Sequence, residues 1–397
     1  MIKVLSIGQL PKEVGGNYTT GVANVVYELS KQNIDGVQQY LYASNIDDNV
    51  ARRLCKYKWQ YVGYRKLYFK ILSNVIFHPL RTFKQWNHYK KVCHMSPLRL
   101  EFHRINIEEV IRFVNPDIIH NHSSFVSSCF FANEKYKIPM IRTYHGLVYK
   151  SDGDTKYQKV ADEAIGTRDF ADYYTALTAE NASEVEKLGI SKSIISIIPN
   201  GVDSSKFFFS EGDRNRIRKE HSVGNNTIVF MTVGRLIDRK GQLMFLKILN
   251  KSGIDYQYWM FGDGPDHDVI CNYVRDNNLE KNVVMFGQVR GDELYKYHSA
   301  ADIYAHSSTT EGQSLAEIEA YSTGLRIVVN SKIAGTVIGD AYKDIEDYYI
   351  MDFGMVDFDY FKTWLNMPVH ERQSRKSCDW SVIAKQYSAL YRKIMVK

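Results

Sequence analysis

The sequence predicts an α/β protein made of two domains, each with an open parallel sheet. The chain has 397 residues, which is too long for one typical hydrophobic core. Short apolar runs that suit buried strands alternate with stretches of helical periodicity. No apolar run approaches the roughly 18 residues of a membrane-spanning helix. The composition, 44% hydrophobic and 24% charged, is typical of a globular protein.

The first domain is predicted to open with a strand, a glycine loop and a helix. Residues 2–7 indicate a buried strand, and residues 19–31 carry apolar side chains at helical spacing. Gly15 and Gly16 form a pair in the loop between them, but the G-x-G-x-x-G fingerprint of dinucleotide enzymes is absent. The pattern predicts a Rossmann-like unit without a nicotinamide cofactor, although the glycine pair also suits an ordinary tight turn. The N-terminal apolar run is too short for a signal peptide, so we expect a cytosolic protein.

Positive charge is concentrated in residues 52–104. This segment has a net charge of +12, with 13 lysines and arginines and one acidic residue, whereas the rest of the chain has a net charge of −6. Apolar and aromatic residues recur there at helical spacing, with Arg65, Lys66 and Lys70 between them. Such a segment favours contact with an anionic membrane surface. Packing within the domain remains open, and no nucleic-acid-binding motif accompanies the patch, so nucleic acid is not the predicted partner.

Two predicted strands of the first domain end in histidines. The sequence NPDIIHNH ends in His120 and His122, and MIRTYHG ends in His145. In an open α/β sheet the carboxyl ends of the strands face the ligand. Lone histidines at strand ends are often structural, so both interpretations stay open for His120 and His122.

The second domain is predicted to begin with the strand TIVFMTV, which two cations follow. Gly234 and Arg235 come directly after it, and Lys240 lies five residues further on. Arginine and lysine aimed at a leaving diphosphate stabilise its developing negative charge. The next strand ends in the sequence GDGP, where Gly262 and Gly264 allow a tight turn.

Residues 301–331 predict a strand, a loop, a helix and a second strand. Ser314 and Glu317 stand in the S-x-x-E relation of a capping box, so the helix is expected to start near Ser314. Gly324 follows the helix where a C′ glycine belongs.

Two glutamates frame this loop and helix. Glu311 precedes the helix and Glu319 lies on its second turn. At the ligand edge of a sheet, one can bind sugar hydroxyls and the other ribose hydroxyls, while the amides of the helix start attract a phosphate. Taken alone, the pair also suits a solvated surface helix.

These motifs resemble the retaining glycosyltransferases of family 4, which have the GT-B fold of two Rossmann-like domains facing across a central cleft. The matching stretches are PDIIHNH, TYHG, IPNGVD, VGRL with KG, GDGP, and EGQSLAEIEA, and they cover most of the chain. The resemblance implies an acceptor-side domain of residues 1–205, joined by a C-terminal helix of residues 378–397. It implies a nucleotide-sugar-binding domain of residues 206–377.

The resemblance also implies a role for each matching residue. The catalytic residues implied are Arg235, Lys240, Glu311 and His145. The donor-binding residues implied are Gly15, Gly16, Asn200, Gly234, Gly262, Gly264, Gly312, Gln313, Ser314, Leu315 and Glu319. Arg65, Lys66 and Lys70 are the expected membrane or acceptor contacts. Gln313 and Ala316 stand where family members often have an aromatic residue and a proline, which leaves the sugar open.

The implied function is the transfer of a sugar, with retention, from a UDP- or GDP-sugar to a hydroxyl of a lipid-linked glycan. This would serve cell-surface polysaccharide synthesis, as lipopolysaccharide or capsule, in the cytoplasm on the cytoplasmic face of the inner membrane. We expect no cofactor and no essential metal, because cations are available and the D-x-D tripeptides at 152–154 and 357–359 lie outside the motif loops. The five cysteines have no metal-binding spacing. A GT-B epimerase or phosphorylase, or a non-catalytic nucleotide-sugar-binding module, remains open.

Overall fold

The computed structural model describes residues 1–11, 21–43, 64–122, 125–146, 155–224, 226–289, 291–334, 347–367, 372, 374 and 379–396. The chain divides into two compact units, Met1–Pro199 with Trp380–Lys397, and Asn200–Asp379. The predicted α/β fold with two parallel sheets is confirmed. The sequence predicts that residues 200–205 belong to the first domain, whereas they lie in the second unit, where Asn200 binds Gln313 and Val202 bridges to Asp379.

The first unit has a six-stranded parallel sheet among its described residues. The strands are β1 (Ile2–Gly8), β2 (Val37–Ala43), β3 (Ile118–Asn121), β4 (Met140–Tyr144), β5 (Tyr173–Ala176) and β6 (Ile195–Ile197). Their order in the sheet is β2-β1-β3-β4-β5-β6. The helices are α1 (Gly21–Lys31), α2 (Tyr64–Phe77), α3 (Pro79–Lys91), α4 (Pro97–Val114), α5 (Val126–Asn133), α6 (Thr155–Gly166), α7 (Ala179–Lys187) and, from the chain end, α14 (Trp380–Met395).

The C-terminal helix α14 packs on the first unit through its apolar face. The hydroxyl of Tyr391 lies 2.8 Å from Nδ1 of His120 at the end of β3. Arg392 donates to the backbone oxygen of Asp35 at 3.0 Å. The helical spacing of apolar residues in α14 therefore matches the face that is buried.

The second unit also has a six-stranded parallel sheet among its described residues. The strands are β7 (Ile228–Val233), β8 (Tyr256–Phe261), β9 (Val283–Gly287), β10 (Ile303–His306), β11 (Arg326–Asn330) and β12 (Tyr348–Met351). Their order in the sheet is β12-β11-β10-β7-β8-β9. The helices are α8 (Glu211–Glu220), α9 (Gln242–Ser252), α10 (His267–Asp276), α11 (Gly291–Ala300), α12 (Leu315–Ser322) and α13 (Phe358–Leu365).

The sheet order of the second unit brings the candidate loops together. β7 pairs with both β8 and β10, all in parallel. The loops that follow these three strands therefore leave the same edge of the sheet. They carry the predicted cations, the GDGP turn and Glu311, and such an edge is where open α/β sheets bind ligands.

Candidate active site

The loops after β7 and β8 pack backbone against backbone. The N–H of Leu236 donates to the carbonyl oxygen of Asp263 at 3.1 Å. A Cβ built at Gly262 would lie 2.0 Å from the oxygen of Gly234, and one at Gly264 would lie 2.2 Å from the oxygen of Leu236. The sequence predicts a tight turn at Gly262 and Gly264. The contact between the two loops is itself close enough to require a residue without a side chain at both positions.

The loop after β10 is anchored on the turn that carries Lys240. Ser307 donates its hydroxyl proton to the carbonyl oxygen of Lys240 at 2.7 Å, and the N–H of Thr309 donates to the oxygen of Arg239 at 2.8 Å. Gly241 has φ +68°, and a Cβ there would lie 2.2 Å from the oxygen of Ser307. This glycine is what lets the two loops touch, so Lys240 can reach Glu311.

Glu311 is the centre of the resulting cluster. Its Oε1 forms an ion pair with Nζ of Lys240 and accepts a hydrogen bond from the Ser308 hydroxyl at 3.0 Å. Nε2 of His306 lies 3.9 Å from the same oxygen. In the part of the chain that the structure describes, no group donates to Oε2. Among the described residues, the contacts of Glu311 therefore all fall on one of its two oxygens.

The cluster keeps Glu311 ionised. Burial alone would raise the pKa of this carboxyl, because its side chain is only 13% exposed. The neighbouring His306 and Lys240 outweigh burial and hold the pKa well below its ordinary value. Near neutral pH, the Glu311 carboxylate can therefore accept hydrogen bonds from hydroxyl groups such as those of a sugar.

Arg235 differs from Lys240 in having no carboxylate partner. Its side chain is exposed and forms no ion pair with any residue for which the structure gives a position. Its carbonyl oxygen accepts from Nε2 of Gln242 at 3.2 Å, which fixes the backbone at the start of α9. The guanidinium therefore remains available to an anionic ligand, whereas the Lys240 ammonium is shared with Glu311.

The start of α12 differs from the predicted capping box. Ser314 is the N-cap, but its side chain caps no backbone N–H. Glu317 does not reach back to Ser314 because it is fully buried and binds His306 and Tyr348. At the other end Gly324 has φ +73°, and its N–H donates to the oxygen of Tyr321 at 2.9 Å, as the predicted C′ glycine requires.

Gln313 and Asn200 bind each other. The N–H of Asn200 donates to Oε1 of Gln313 at 2.6 Å, and Nδ2 of Asn200 donates to the carbonyl oxygen of Gln313 at 3.3 Å. Nε2 of Gln313 is buried and has no partner within the described ranges. The pair ties the loop before α12 to the turn at residue 200, and a contact with the donor stays a prediction for both residues.

The remaining predicted residues of this loop lie at the start of α12. Gly312 is buried, and Ser314 and Leu315 are half-buried. Glu319 is half-buried on the second turn. Burial, together with the charges of Glu317, Glu311 and Glu319, raises the pKa of Tyr304 well above its ordinary value. Glu319 therefore belongs to the same electrostatic environment as Glu311.

The histidines of the first unit form a row at the ends of β3 and β4. Nε2 of His145 lies 3.2 Å from Nδ1 of His122, and the rings of His122 and His120 are 3.9 Å apart. Nε2 of His120 lies 2.7 Å from the hydroxyl oxygen of Thr143. Burial lowers the pKa of His145 to about 4 and that of His120 to about 3, so the row is neutral at pH 7. Neutral imidazoles can donate hydrogen bonds to a substrate hydroxyl and accept them from it, but they supply no positive charge.

Some predicted features lie outside the described residues or have a structural role. Gly15, Gly16 and the D-x-D tripeptide at 152–154 are not among the described residues. In the other tripeptide, Asp357 caps α13 by accepting the N–H of Tyr360 at 2.9 Å. The described ranges contain no group of three or more histidine, cysteine, aspartate or glutamate side chains that could hold a metal. The metal-free reaction stays a prediction.

The basic segment is less uniformly charged at its surface than its composition suggests. Arg104 is buried against Glu101, and Lys70 is paired with Glu109 on α4. Lys66 and Lys84 are exposed. The side chain of Arg65 is not among those described. Of the three expected membrane contacts, Lys66 alone is shown as an exposed cation.

The two helices α2 and α3 also expose large apolar side chains. Leu67 and Ile71 pack against Ile105, so one face of α2 is buried. The exposed apolar side chains of the two helices are Tyr68, Phe69, Leu72, Val75, Ile76, Phe77, Leu80 and Phe83. Where such residues form a contiguous patch, they are typical of an interaction surface. None of the described helices has the length and apolar character needed to cross a bilayer.

Comparison with known proteins identifies the family. The model of glycosyltransferase family 4 matches residues 19–206, and that of glycosyl transferases group 1 matches residues 213–343. A relative from Escherichia coli, UDP-Gal:alpha-D-GlcNAc-diphosphoundecaprenol alpha-1,3-galactosyltransferase, is 30% identical over 244 residues, 57% of this chain and 61% of the relative. The GPI3 subunit of yeast phosphatidylinositol N-acetylglucosaminyltransferase is 30% identical over 149 residues, 37% of this chain and 32% of that protein.

Solved structures agree on the fold. The crystal structure of Anabaena HepE in complex with UDP and glucose has a TM-score of 0.65 and 16% identity, covering 100% of this chain and 98% of HepE. The matches to the two curated relatives span less than two thirds of their lengths. The two family models, in contrast, together span most of this chain. This chain belongs to family 4 of the glycosyltransferases, the group 1 type, and has the GT-B fold.

Proposed function

We propose that this protein moves a sugar from a UDP- or GDP-sugar to a hydroxyl of a lipid-linked glycan, with retention of anomeric configuration. The observation that carries the proposal is Glu311, which is held by Lys240 and Ser308 on Oε1 and leaves Oε2 open to a sugar hydroxyl. Arg235 is exposed, and its loop leaves the sheet at the same edge as the loop that carries Glu311. A carboxylate can bind sugar hydroxyls, and cations beside it can bind a diphosphate. Together they match the two parts of a nucleotide sugar.

Each part of the donor has a binding group in this arrangement. Arg235 and Lys240 take the diphosphate, whose charge grows as the bond to the sugar breaks. The uncapped amides at the start of α12 add partial positive charge for it. Glu311 takes a sugar hydroxyl and Glu319 takes the ribose. His145 lies in the first unit, and its role as a neutral hydrogen-bonding group for the acceptor or donor sugar is implied by the resemblance to the family.

The donor class draws support from the relatives. The E. coli relative is named for a UDP-sugar donor and a diphosphoundecaprenol acceptor, and HepE was crystallised with UDP. By resemblance to the family, the departing diphosphate accepts the proton of the acceptor hydroxyl on the same face of the sugar. The pathway we propose is cell-surface polysaccharide synthesis, as lipopolysaccharide or capsule.

A thermal-shift panel tests the donor class directly. The panel contains UDP, GDP, UDP-glucose, UDP-galactose, UDP-N-acetylglucosamine, GDP-mannose and NAD. A ligand that binds only the folded protein stabilises it by about 2.7 kcal/mol at a hundredfold excess over its dissociation constant. We expect one nucleotide family to raise the melting temperature and NAD to have no effect. Stabilisation by NAD alone would refute the proposal.

We also propose that the enzyme works in the cytoplasm, peripherally bound to the cytoplasmic face of the inner membrane. Exposed apolar residues of α2 and α3 stand beside the exposed cations Lys66 and Lys84. The apolar side chains suit the acyl boundary, and the cations suit anionic head groups. Such docking would bring the enzyme to a lipid-linked acceptor.

Vesicle co-sedimentation is expected to separate the contribution of the cations to membrane binding from that of the apolar side chains. Each cation near an anionic surface contributes about 1 kcal/mol, so Lys66→Gln/Lys84→Gln should weaken binding to anionic vesicles about 30-fold. Phe77→Ser/Phe83→Ser should remove the part of vesicle binding that added salt does not weaken. Lys251→Gln/Lys362→Gln is the matched control, since it removes the same charge from the second unit. Equal binding of all variants, or no binding by the wild type, would rule out this surface.

A further inference from the structure

A buried pair of opposite charges lies directly behind Glu311. His306 is the last residue of β10 and Glu317 is in the first turn of α12, and they are 3% and 0% exposed. Nδ1 of His306 forms an ion pair with Oε2 of Glu317, and the hydroxyl of Tyr348 on β12 donates to Oε1 at 3.0 Å. A carboxylate away from water needs such partners on both oxygens. Glu317 is therefore fully engaged and cannot touch a substrate.

The second ring nitrogen of His306 faces Glu311. Nε2 is buried, has no hydrogen-bond partner among the described residues, and lies 3.9 Å from Oε1 of Glu311. Lys240 pairs with that same oxygen. Negative and positive groups thus alternate in the order Glu317, His306, Glu311, Lys240.

The imidazole is charged at neutral pH. Burial alone would lower the pKa of His306, but Glu317 and Glu311 outweigh burial and raise it to about 9. As an imidazolium it donates from both nitrogens. Among the described residues, the ionisable groups around it are Glu317 from α12, Glu311 from the loop, Tyr348 from β12 and Tyr304 from its own strand, with Lys240 beyond Glu311.

We propose that His306 is a positioning residue of the donor site. Glu317, which Tyr348 holds in turn, fixes His306 so that its ring places a positive charge beside Oε1 of Glu311, the same oxygen that pairs with Lys240. Oε2 is thereby presented in one orientation to a hydroxyl of the donor sugar. This inference rests on the proposed function, because it names the residue that orients Glu311 for that reaction.

The charge of His306 has a consequence for stability with a definite sign. Its pKa is about 9 in the folded chain and 6.5 ordinarily. The stabilisation is fully present below pH 6.5 and is lost as the pH rises through about 9. We expect the unfolding free energy of the wild type to decline over this window. In His306→Leu/Glu317→Leu, where two apolar side chains replace the pair, this component should be absent.

The variant Glu317→Gln separates positioning from packing. It keeps the shape of the side chain and a partner for Tyr348 but removes the charge that keeps His306 protonated. We expect the alkaline limb of kcat/KM for the donor, near pH 9 in the wild type, to move to lower pH. Activity at pH 7.5 should fall about tenfold, the loss expected for one charge-assisted hydrogen bond. Tyr348→Phe is the matched control, because it loosens Glu317 but leaves both charges and should leave the limb in place.

The deciding measurement is a nitrogen-15 NMR titration of the histidines in the whole protein, read beside the pH profile with the nucleotide sugar that the thermal-shift panel selects. We expect one imidazole, absent in His306→Leu/Glu317→Leu, to keep both protons until about pH 9. Titration of that same imidazole at or below pH 6.5 in the wild type would overturn the inference. If the donor reacts but Glu317→Gln leaves the limb unmoved, the positioning role alone fails. If no nucleotide sugar binds at any pH, the proposed function fails, and the positioning role with it.

Discussion

Replacing Arg235 by alanine is expected to lower kcat for sugar transfer by about 10²–10³-fold, the loss measured when one preorganised group is removed from a developing anion. Arg235 is exposed, follows β7 directly and has no carboxylate partner within the described residues. Its charge is therefore uncommitted until a diphosphate arrives. Steady-state kinetics with saturating donor and acceptor provide the measurement.

Two controls accompany this variant. Arg275→Ala removes an exposed arginine from α10 in the same unit and should leave kcat unchanged. Arg235→Lys keeps the charge without the two-pronged geometry, so it should recover only part of the loss. A rise in KM with an unchanged kcat in Arg235→Ala would show that the residue holds the donor equally in ground and transition states.

The variant Glu311→Gln is expected to lower transfer by about 10²-fold. The amide matches the carboxylate in shape and can still accept from Lys240 and Ser308. It loses the charge that strengthens a hydrogen bond to a sugar hydroxyl, worth about 1.5–3 kcal/mol. It also leaves the cations of Lys240 and His306 without their shared partner. The measurement is kcat/KM for the donor, with thermal melts to confirm that the variant is folded.

The matched control is Glu293→Gln. Glu293 also pairs with a lysine, Lys296, but on the exposed surface of α11, where an ion pair contributes little. This variant should show wild-type transfer.

Glu319→Gln should lose affinity for the whole nucleotide rather than for the sugar, if Glu319 binds the ribose. Wild-type transfer in both Glu311→Gln and Glu319→Gln would contradict the assignment of the two carboxylates.

Most strands could be found from the sequence, with or without a motif at their end, whereas β2 and β12 could not. β1, β3, β4, β7, β8 and β10 all lead into loops with glycine, histidine or charged residues, and all were predicted. β2 and β12 lie at the edges of their sheets and were not recognised. Gln38 and Gln39 interrupt the apolar pattern of β2, which weakens the signal of a buried strand.

The sequence located the cations and Glu311, but not the interactions between them. The spacing of Ser314 and Glu317 suited a capping box, yet Glu317 faces inward because a histidine from β10 and a tyrosine from β12 meet it there. That contact joins residues from three elements, so no local pattern contains it. A signal was nevertheless present: His306 stands in a strand that is otherwise apolar and buried, which calls for a partner.

The central claim is that this chain transfers a sugar from a nucleotide donor, and one assay tests it directly. The protein is incubated with radiolabelled UDP- and GDP-hexoses and vesicles that contain a diphosphoundecaprenol-linked sugar, and the lipid products and the released nucleotide are quantified. We expect one labelled lipid, formed with an equal amount of nucleoside diphosphate, whose new bond keeps the configuration of the donor and which Glu311→Gln scarcely forms. Epimerised donor without a lipid product, or equal product from wild type and Glu311→Gln, would contradict the claim.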